Sequence, residues 1–208
     1  MLHRLRRLLR RALRPPEVAG AERGQDFYDK RYKEKAHKRL PYHQSHYYPL
    51  WAIIADRLRD RSGVLEVGCG AGQLGALLLD QGMPRYTGFD LSPEAVDVAR
   101  GHKPDADYRV GNAFETELYE TVGYDTIICT EVLEHVERDR ELVQRWPSGV
   151  RCVCSVPDFP AKAHVRHFES ADAVRERYGD LFVDLQVTTH VRATERPARF
   201  FLLDGIRL

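Results

Sequence analysis

The sequence is poor in the features that mark several large classes of protein. No apolar run approaches the ~20 residues that a membrane span needs, and no internal repeat is found. Lys and Arg number 32 against 31 Asp and Glu, so no overall charge favours nucleic acid or an acidic substrate. What remains is a globular chain of 208 residues, a length that suits one large domain better than two.

Cysteine is scarce as well. The four cysteines, Cys69, Cys129, Cys152 and Cys154, form no C-x-x-C pair and lie in or beside apolar runs. This pattern is typical of reduced, mostly buried thiols in a reducing compartment. The first residues are too charged for a secretory signal, because no continuous apolar stretch follows the arginines. We therefore expect a cytoplasmic protein.

The strongest local charge lies in residues 1–14. Leucines recur there on one face of a helical period, and six arginines occupy the remaining positions together with His3. Pro15 and Pro16 end the pattern. Two interpretations stand side by side. The segment is either a frayed basic leader, or an amphipathic helix that makes peripheral contact with the inner face of a membrane.

The rest of the chain divides into a helical part and an alternating part. After a leader over residues 1–24, residues 25–62 form a predicted N-terminal helical lid, with helices over 25–40 and 43–60. In residues 63–208, short apolar runs alternate with helical segments. The predicted strands are Val64–Val67, Tyr86–Phe89, Asp107–Val110, Tyr124–Thr130, Arg151–Val156, Leu181–Thr188 and Arg199–Leu203.

This order of elements predicts an α/β protein. Helical segments separate the first six strands, which is typical of a Rossmann-like, doubly wound parallel sheet. The last two strands are joined only by the polar stretch HVRATERP, which has no room for a helix. The predicted fold is therefore a seven-stranded, mostly parallel sheet with an antiparallel terminal hairpin.

A glycine loop follows the first predicted strand. In VLEVGCGAGQL, three glycines, Gly68, Gly70 and Gly72, open a helix two residues after Glu66. Glycines there permit a sharp turn and let a ligand approach the main chain. Asp90 ends the next strand, where a carboxylate can accept from both ribose hydroxyls of an adenosine. No Lys-Ser or Lys-Thr pair follows the loop, which argues against a P-loop.

The combination of Glu66, the glycine loop and Asp90 resembles the class I S-adenosylmethionine (SAM)-dependent methyltransferases, over about residues 26–205. The resemblance implies SAM as the cofactor, with GNAF after the third strand touching its adenine. Asn112 stands there where the family commonly has Asp, and its oxygen can still accept from the adenine amine. The residues that the resemblance places on the cofactor are Glu66, Gly68, Cys69, Gly70, Gly72, Asp90, Leu91, Asn112, Ala113, Thr130 and Glu131.

The segment after the fourth strand, TEVLEHV, carries a second grouping. Glu131, Glu134 and His135 are spaced so that a helix would place them on one face. Two carboxylates and an imidazole suit a divalent cation. The grouping resembles the metal sites of ubiquinone-biosynthesis O-methyltransferases and small-RNA 2′-O-methyltransferases, where His164 or His167 would supply a further ligand. The same E-V-L-E-H motif also occurs in superfamily members without a metal. There the Glu can cap a helix and the His can be a packing or acid–base residue, so a metal site and a metal-free site both stay open.

The chemistry that the resemblance implies needs a base if the acceptor is a hydroxyl. SAM already carries an activated methyl group, so the enzyme mainly aligns the reactants and excludes water. Histidine suits proton removal near neutral pH. The candidates are His135, His164 and His167, with His135 first by its position.

The acceptor pocket is expected from the N-terminal helices. Tyr28 and Tyr32 resemble the lid aromatics of small-molecule methyltransferases. A polar-aromatic cluster that could line the pocket consists of His43, His46, Tyr47 and Tyr48. Trp51 and the isoleucines after it read as packing residues. By family analogy we expect a small-molecule, glycan or lipid-linked acceptor and no specific nucleic acid.

Two rival functions remain. A nicotinamide-dependent oxidoreductase shares the glycine loop and the ribose acid, but the terminal hairpin and the Glu-His segment argue against it. A catalytically inactive methyltransferase-fold protein acting as a membrane-associated binding module gains weight from the leader. The intact set of Glu66, glycines and Asp90 argues against that alternative.

Overall fold

The computed structural model of the protein describes residues 20–192 and 198–208. The helix predicted over residues 1–14 lies outside these residues. The helices are α1 (Gln25–Glu34), α2 (Tyr48–Arg57), α3 (Gln73–Asp80), α4 (Pro93–His102), α5 (Leu118–Thr121), α6 (Asp139–Gln144) and α7 (Ala171–Tyr178). The strands are β1 (Val64–Val67), β2 (Tyr86–Asp90), β3 (Asp107–Val110), β4 (Thr126–Thr130), β5 (Arg151–Pro157), β6 (Phe182–Arg192) and β7 (Ala198–Arg207). Short 3-10 helices cover Ala36–Arg39, Tyr42–Gln44, Leu133–His135 and Gly179–Leu181.

The predicted fold class is confirmed. The seven strands form one sheet in the order β3-β2-β1-β4-β5-β7-β6. The first five strands pair in parallel, and β7 runs antiparallel to both β5 and β6. The strand order reverses between β1 and β4, and in such sheets ligands bind in the crevice beyond the carboxyl ends of the strands at that point. Glu66 and Thr130 lie near these strand ends.

The core lies on both faces of the sheet. Successive residues of β4 enter different apolar clusters, with Ile127 and Cys129 in one and Ile128 in the other. The cluster containing Ile128 includes residues of α2, α3 and α4, and that containing Ile127 includes residues of α6 and α7. Trp51 packs in the cluster that contains Ile128, as predicted. All four cysteines are buried free thiols.

The terminal hairpin is longer than predicted. Its pairing runs from Phe182 opposite Arg207 to Arg192 opposite Ala198, with an irregularity after Val183. Backbone hydrogen bonds hold the strands together even where the side chains are polar and exposed, so hydropathy alone underestimates their length. The first residues of the predicted connection HVRATERP therefore belong to β6.

The first lid helix is shorter than predicted. The helix expected over residues 25–40 ends at Glu34, and Lys35 adopts an extended backbone. Tertiary contacts explain the break: the Lys38 ammonium lies 5.0 Å from the centre of the Tyr32 ring, and an Arg39 nitrogen donates to the Tyr32 carbonyl at 3.4 Å. The second helix begins only at Tyr48, with Pro49 in its first turn, where the missing N–H costs no hydrogen bond. None of the described helices has the length and apolar composition of a membrane span.

Candidate active site

Two cavities open at the carboxyl ends of the parallel strands and share one wall. The Asp90 cavity, of about 430 Å³, is lined by Asp90, Asn112 and Phe114 among others. The Glu134 cavity, of about 390 Å³, is lined by Glu134 and His164 among others. The residues that line both are Arg31, Tyr32, Lys38, Gly68, Glu131, His135 and Ala163. A ligand in one cavity can therefore meet a ligand in the other along this shared wall.

The glycine loop forms part of both cavities, where its glycines expose backbone without side chains. Gly68 and Gly70 have positive φ angles of 69° and 55°. A Cβ atom at Gly70 would lie 2.6 Å from the Tyr32 hydroxyl, and one at Gly68 would lie 2.5 Å from Val132 Cγ2. Gly72, predicted to contact the cofactor, lines neither cavity. Its carbonyl accepts from the Tyr108 hydroxyl at 3.1 Å, so it serves the turn into α3.

Asp90 faces the glycine loop from the end of β2. Its carboxylate accepts from the Gly70 N–H and from the Ser92 N–H, each at 2.9 Å. Burial raises the pKa of Asp90, and these two amides oppose the shift. Each carboxylate oxygen keeps a lone pair for a further donor. Asp90 is therefore placed to hold both the loop and a ligand hydroxyl.

The far end of the Asp90 cavity contains the residues after β3. Leu91, Asn112 and Ala113 line it, as does Phe114. The Asn112 side-chain oxygen accepts from the Phe114 N–H at 3.0 Å, which fixes the amide in place. The Arg138 guanidinium lies 4.5 Å from the centre of the Phe114 ring, a cation–π contact that no sequence motif predicts.

Four predicted cofactor residues line the Glu134 cavity and not the Asp90 cavity. They are Glu66, Cys69, Gly70 and Thr130. Glu66 is buried and accepts a hydrogen bond from the Tyr86 hydroxyl. Burial raises the pKa of Glu66 to about 8. Glu66 thus supports the loop from beneath the glycines.

The segment after β4 is not the helix that the spacing of its acidic residues suggested. Glu131 has a positive φ of 56°, and only Leu133–His135 form a single 3-10 turn. The reason is local bonding: the Glu131 N–H donates to the Ser155 carbonyl at 3.1 Å, and the Ser155 hydroxyl donates to the Glu131 carboxylate at 2.9 Å. Glu131 therefore turns into the shared wall of the two cavities.

The tight turn nevertheless brings Glu134 and His135 to His164. Candidate ligand atoms of these three residues all lie within 4.8 Å of one another. Glu131 lies outside this group, although its charge is close enough to disfavour ionisation of Glu134. His167 is exposed and lines neither cavity. The structure thus brings together one acid and two of the predicted histidines.

Both histidines are held in one ring orientation. The Nδ1 atom of His135 lies 2.8 Å from the Ala163 carbonyl, and that of His164 lies 2.9 Å from the Phe159 carbonyl. A carbonyl only accepts, so Nδ1 carries the proton in each ring and Nε2 carries the lone pair. Burial lowers the pKa of His135 to about 4, so this imidazole is neutral at physiological pH.

Glu134 has an unusual environment. The side chain is 0% exposed, and neither carboxylate oxygen has a hydrogen-bond partner among the described residues. Its Oε1 atom lies 3.7 Å from Nε2 of His135. Burial raises the pKa of Glu134 well above its ordinary value, and the negative charge of Glu131 adds to the shift. A buried carboxylate without a partner is rare and calls for a proton or a cation.

Arg166 holds this turn in place from outside the cavities. Its guanidinium donates to the carbonyls of Leu133, Val136 and Glu137. It also lies 3.2 Å from the carboxylate of Asp139, which is 1% exposed. Sequence reasoning missed this support because an arginine outside any motif gives no sign of contacts with carbonyl groups some 30 positions away.

The lid supplies further lining residues. Tyr28 lines the Asp90 cavity, Tyr32 lines both, and His46 and Tyr47 line the Glu134 cavity. Two other members of the predicted acceptor cluster, His43 and Tyr48, line neither and pack against Tyr42. Cavity residues that the sequence did not point to are Arg31, Lys38, Phe159 and Arg192.

Comparison with known proteins agrees with this fold. Residues 65–150 match a family model described as a methyltransferase domain. A curated relative, the ubiquinone biosynthesis O-methyltransferase of Xanthomonas euvesicatoria pv. vesicatoria (strain 85-10), is 40% identical over 89 residues, which are 41% of this chain and 37% of the relative. The chain thus spans only about a third of the length of the curated relatives it matches.

Solved structures share the whole architecture at low identity. Magnesium protoporphyrin IX methyltransferase from Synechocystis PCC 6803 with bound SAH superposes with a TM-score of 0.63 at 17% identity, covering 88% of this chain and 100% of that one. The N-methyltransferase NodS from Bradyrhizobium japonicum WM9, in complex with S-adenosyl-L-homocysteine, gives 0.61 at 17% identity over 87% and 97%. At this identity the likeness concerns the fold.

The sheet order, the glycine loop and the acid at the end of β2 define a class I methyltransferase fold. Residues 65–150 match a methyltransferase domain, and the described residues share the fold of SAM-dependent methyltransferases of known structure.

Proposed function

We propose that this protein transfers the methyl group of SAM to an oxygen atom of a small-molecule acceptor. One observation carries the proposal. Two cavities meet at Gly68, Glu131 and His135, so that a cofactor in one would present its reactive centre to an acceptor in the other. Methyl transfer requires this kind of alignment, together with exclusion of water.

The Asp90 cavity and the glycine loop fit SAM. A Cβ at Gly68 or Gly70 would clash with a neighbouring side chain of the protein, so the loop can take this shape only with glycine at these positions. Asp90, beside the loop, can accept from the ribose hydroxyls. Leu91, Asn112 and Phe114 would surround the adenine. Bound SAM supplies an electrophilic methyl group on a sulfonium. Two cations on the shared wall, Arg31 and Lys38, can attract the carboxylate of its methionine part.

His135 is the proposed base. Its neutral ring presents the Nε2 lone pair near the shared wall, while Nδ1 is held by the Ala163 carbonyl. As the acceptor oxygen bonds to the methyl carbon, the carbon–sulfur bond breaks and the acceptor proton passes to Nε2. The electron pair of the broken bond stays on sulfur, which becomes a neutral thioether. His164 lies against His135 with ring centres 4.8 Å apart and supports its orientation.

Heat-shift titration followed by a turnover assay tests the proposed activity. We expect SAM, and not NADH, to raise the melting temperature of the protein. Incubation with isotopically labelled SAM and a metabolite extract should then yield a labelled product whose mass spectrum identifies the acceptor. Stabilisation by NADH instead would indicate the oxidoreductase alternative. SAM binding without turnover on any acceptor would indicate the inactive binding module.

A second candidate is metal-assisted transfer, favoured by the unpartnered carboxylate of Glu134. Glu134, His135 and His164 together offer one carboxylate and two imidazole lone pairs, a donor set that suits a divalent transition metal. The backbone carbonyls on both Nδ1 atoms are the outer contacts that metal-binding histidines usually make. A bound cation would act as a Lewis acid toward the acceptor oxygen.

Removal of the cation separates the two candidates. If the metal is used, excess EDTA and Glu134→Gln should each lower turnover at least about tenfold and leave SAM affinity within about twofold. Glu137→Gln is the matched control, because Glu137 is an exposed carboxylate two residues after His135. Full activity in EDTA, with no metal in the purified protein, leaves His135 as a plain base.

The acceptor is proposed to include lipid-linked molecules, with the leader docking on an anionic membrane. Gly20 packs against the carbonyls of Ala161, Lys162 and His164, at the rim of the Glu134 cavity. Gly20 belongs to the leader, residues 1–24, so the leader meets the rest of the described fold beside the proposed acceptor site. Each arginine near an anionic leaflet contributes ~1 kcal/mol, so several together support reversible docking.

Liposome co-sedimentation tests the docking. The full chain should pellet with anionic vesicles at low salt, and a chain starting at Pro16 should not. Binding should weaken steeply as salt is added, because exposed charges are screened. Neutral vesicles serve as the control. Equal pelleting of both chains, or none of either with anionic lipid, contradicts the membrane proposal.

A further inference from the structure

Arg192 differs from the other cations of the site in its position. It lies at the end of β6 and lines only the Glu134 cavity, whereas Arg31 and Lys38 line both cavities. His37 and His46 also line this cavity, but burial lowers the pKa of each, which favours their neutral forms. Among the described residues, Arg192 is therefore the permanent positive charge that belongs to the Glu134 cavity alone.

Aromatic rings fix the Arg192 guanidinium. Its central carbon lies 5.8 Å from the centre of the Phe159 ring and 5.7 Å from that of Phe200. The two rings contact each other edge to face, with their centres 5.9 Å apart. A guanidinium that lies on aromatic rings is held in orientation while its N–H groups remain free to bind a planar anion. The Arg192 guanidinium is thus oriented before any ligand binds, and we call its set of N–H donors the fork.

One donor of the fork has no partner among the residues that the structure describes. The Nε atom of Arg192 is buried and has no hydrogen-bond partner among the described residues. The positive charge of Arg192 favours the ionised form of Glu131. The Glu131 carboxylate, however, already accepts a hydrogen bond from the Ser155 hydroxyl at 2.9 Å. A buried donor without an acceptor is costly unless a ligand supplies one.

The wall beside Arg192 is aromatic. Tyr47 lines the same cavity, stacks on Trp51 with ring centres 5.7 Å apart, and lies 4.2 Å from the His46 ring. Rigid aromatic walls bind flat apolar groups, and a few fixed polar groups give the orientation. The Glu134 cavity thus combines a flat apolar wall, one anion-binding fork and, at its inner end, His135.

We propose that the acceptor is a flat, aromatic molecule bearing an oxyanion, carboxylate or phosphate, which Arg192 binds bidentately while the reacting hydroxyl points toward His135. The proposal rests on the methyltransferase function proposed above, since it names the acceptor class of that same site. Arg192 would then set acceptor specificity and have no part in cofactor binding.

Calorimetry with three probes tests the proposal: 4-hydroxybenzoate, 4-hydroxyphenyl phosphate and the neutral 4-hydroxybenzamide. Each is titrated into the full chain with and without saturating S-adenosylhomocysteine. We expect at least one anionic probe to bind about tenfold or more tightly than the amide, as a bidentate ionic contact predicts. The stronger of the two anions distinguishes carboxylate from phosphate. Equal binding of all three probes, or none at millimolar concentration, overturns the proposal.

Variants assign the anion preference to one residue. Arg192→Gln should remove the preference for the anion and leave affinity for the amide and for S-adenosylhomocysteine within about twofold. Arg192→Lys should recover only part of the preference, because lysine lacks the fork. Arg59→Gln is the control, since the Arg59 side chain is 73% exposed and outside both cavities. An unchanged preference in a folded Arg192→Gln protein overturns the assignment. Failure of S-adenosylhomocysteine to bind would instead contradict the methyltransferase function.

Discussion

Replacement of Asp90 by alanine is expected to weaken SAM binding by at least about tenfold. Each hydrogen bond from a ribose hydroxyl to a carboxylate contributes ~1.5–3 kcal/mol, and the substitution removes every one of them. It also removes the acceptor that holds the Gly70 N–H at 2.9 Å, so the glycine loop loses a support. Isothermal titration calorimetry of SAM against the variant measures the loss.

Two further variants separate the ribose contact from general damage. Asp97→Ala on α4 is the matched control, because the Asp97 side chain is 71% exposed and lines neither cavity. Its affinity for SAM should equal that of the unmodified protein. Asp90→Asn keeps the size of the side chain, and its affinity for SAM should lie between those of Asp90→Ala and Asp97→Ala. Unchanged affinity in Asp90→Ala would remove Asp90 from the cofactor site.

The largest expected loss of stability follows from Asp139→Ala. Its carboxylate, 1% exposed, accepts from Arg177 at 2.7 Å and from the Tyr178 hydroxyl at 2.6 Å, and lies 3.2 Å from Arg166. Removing one partner of a buried ionic network leaves the others without compensation. We expect the free energy of unfolding to fall by about 3–5 kcal/mol. Urea denaturation monitored by circular dichroism measures this change.

An exposed ion pair in the next helix provides the contrast. Asp172 contacts Arg175 at 2.6 Å, but its side chain is 89% exposed. Exposed pairs contribute only ~0–1 kcal/mol, so Asp172→Ala should leave the denaturation midpoint almost unchanged. Similar losses for the two variants would show that burial is not what makes the Asp139 network important.

Much of the fold follows from local sequence because parallel strands are buried on both faces. Runs such as Val64–Val67 are buried throughout and apolar apart from Glu66, so the positions of the strands can be predicted, and the helices between them predict parallel pairing. The residues proposed to bind the cofactor can be predicted from the sequence for a related reason. Asp90 and Glu66 stand beside strand ends, and strand ends gather at one edge of a parallel sheet.

The acceptor side was less readable, because it depends on contacts between distant segments. Arg192, Lys38 and Phe159 belong to no motif and meet only once the sheet has formed. The spacing of Glu131, Glu134 and His135 suggested a helix, yet bonds from Glu131 to Ser155 on the neighbouring strand hold the backbone in a left-handed conformation. Periodicity describes a segment in isolation and contains no information about such partners.

The chain also divides the two ligands between different stretches of sequence. The matched methyltransferase domain, residues 65–150, contains Asp90 and the glycine loop. Several residues that line the Glu134 cavity but not its neighbour, among them His46, Tyr47 and Arg192, lie outside that range. Mutations at these positions can accumulate without changing the lining of the Asp90 cavity. Descendants of such a protein can therefore acquire new acceptors while inheriting one unchanged methyl donor, and grafting the flanks from one relative onto another becomes a practical route to new products.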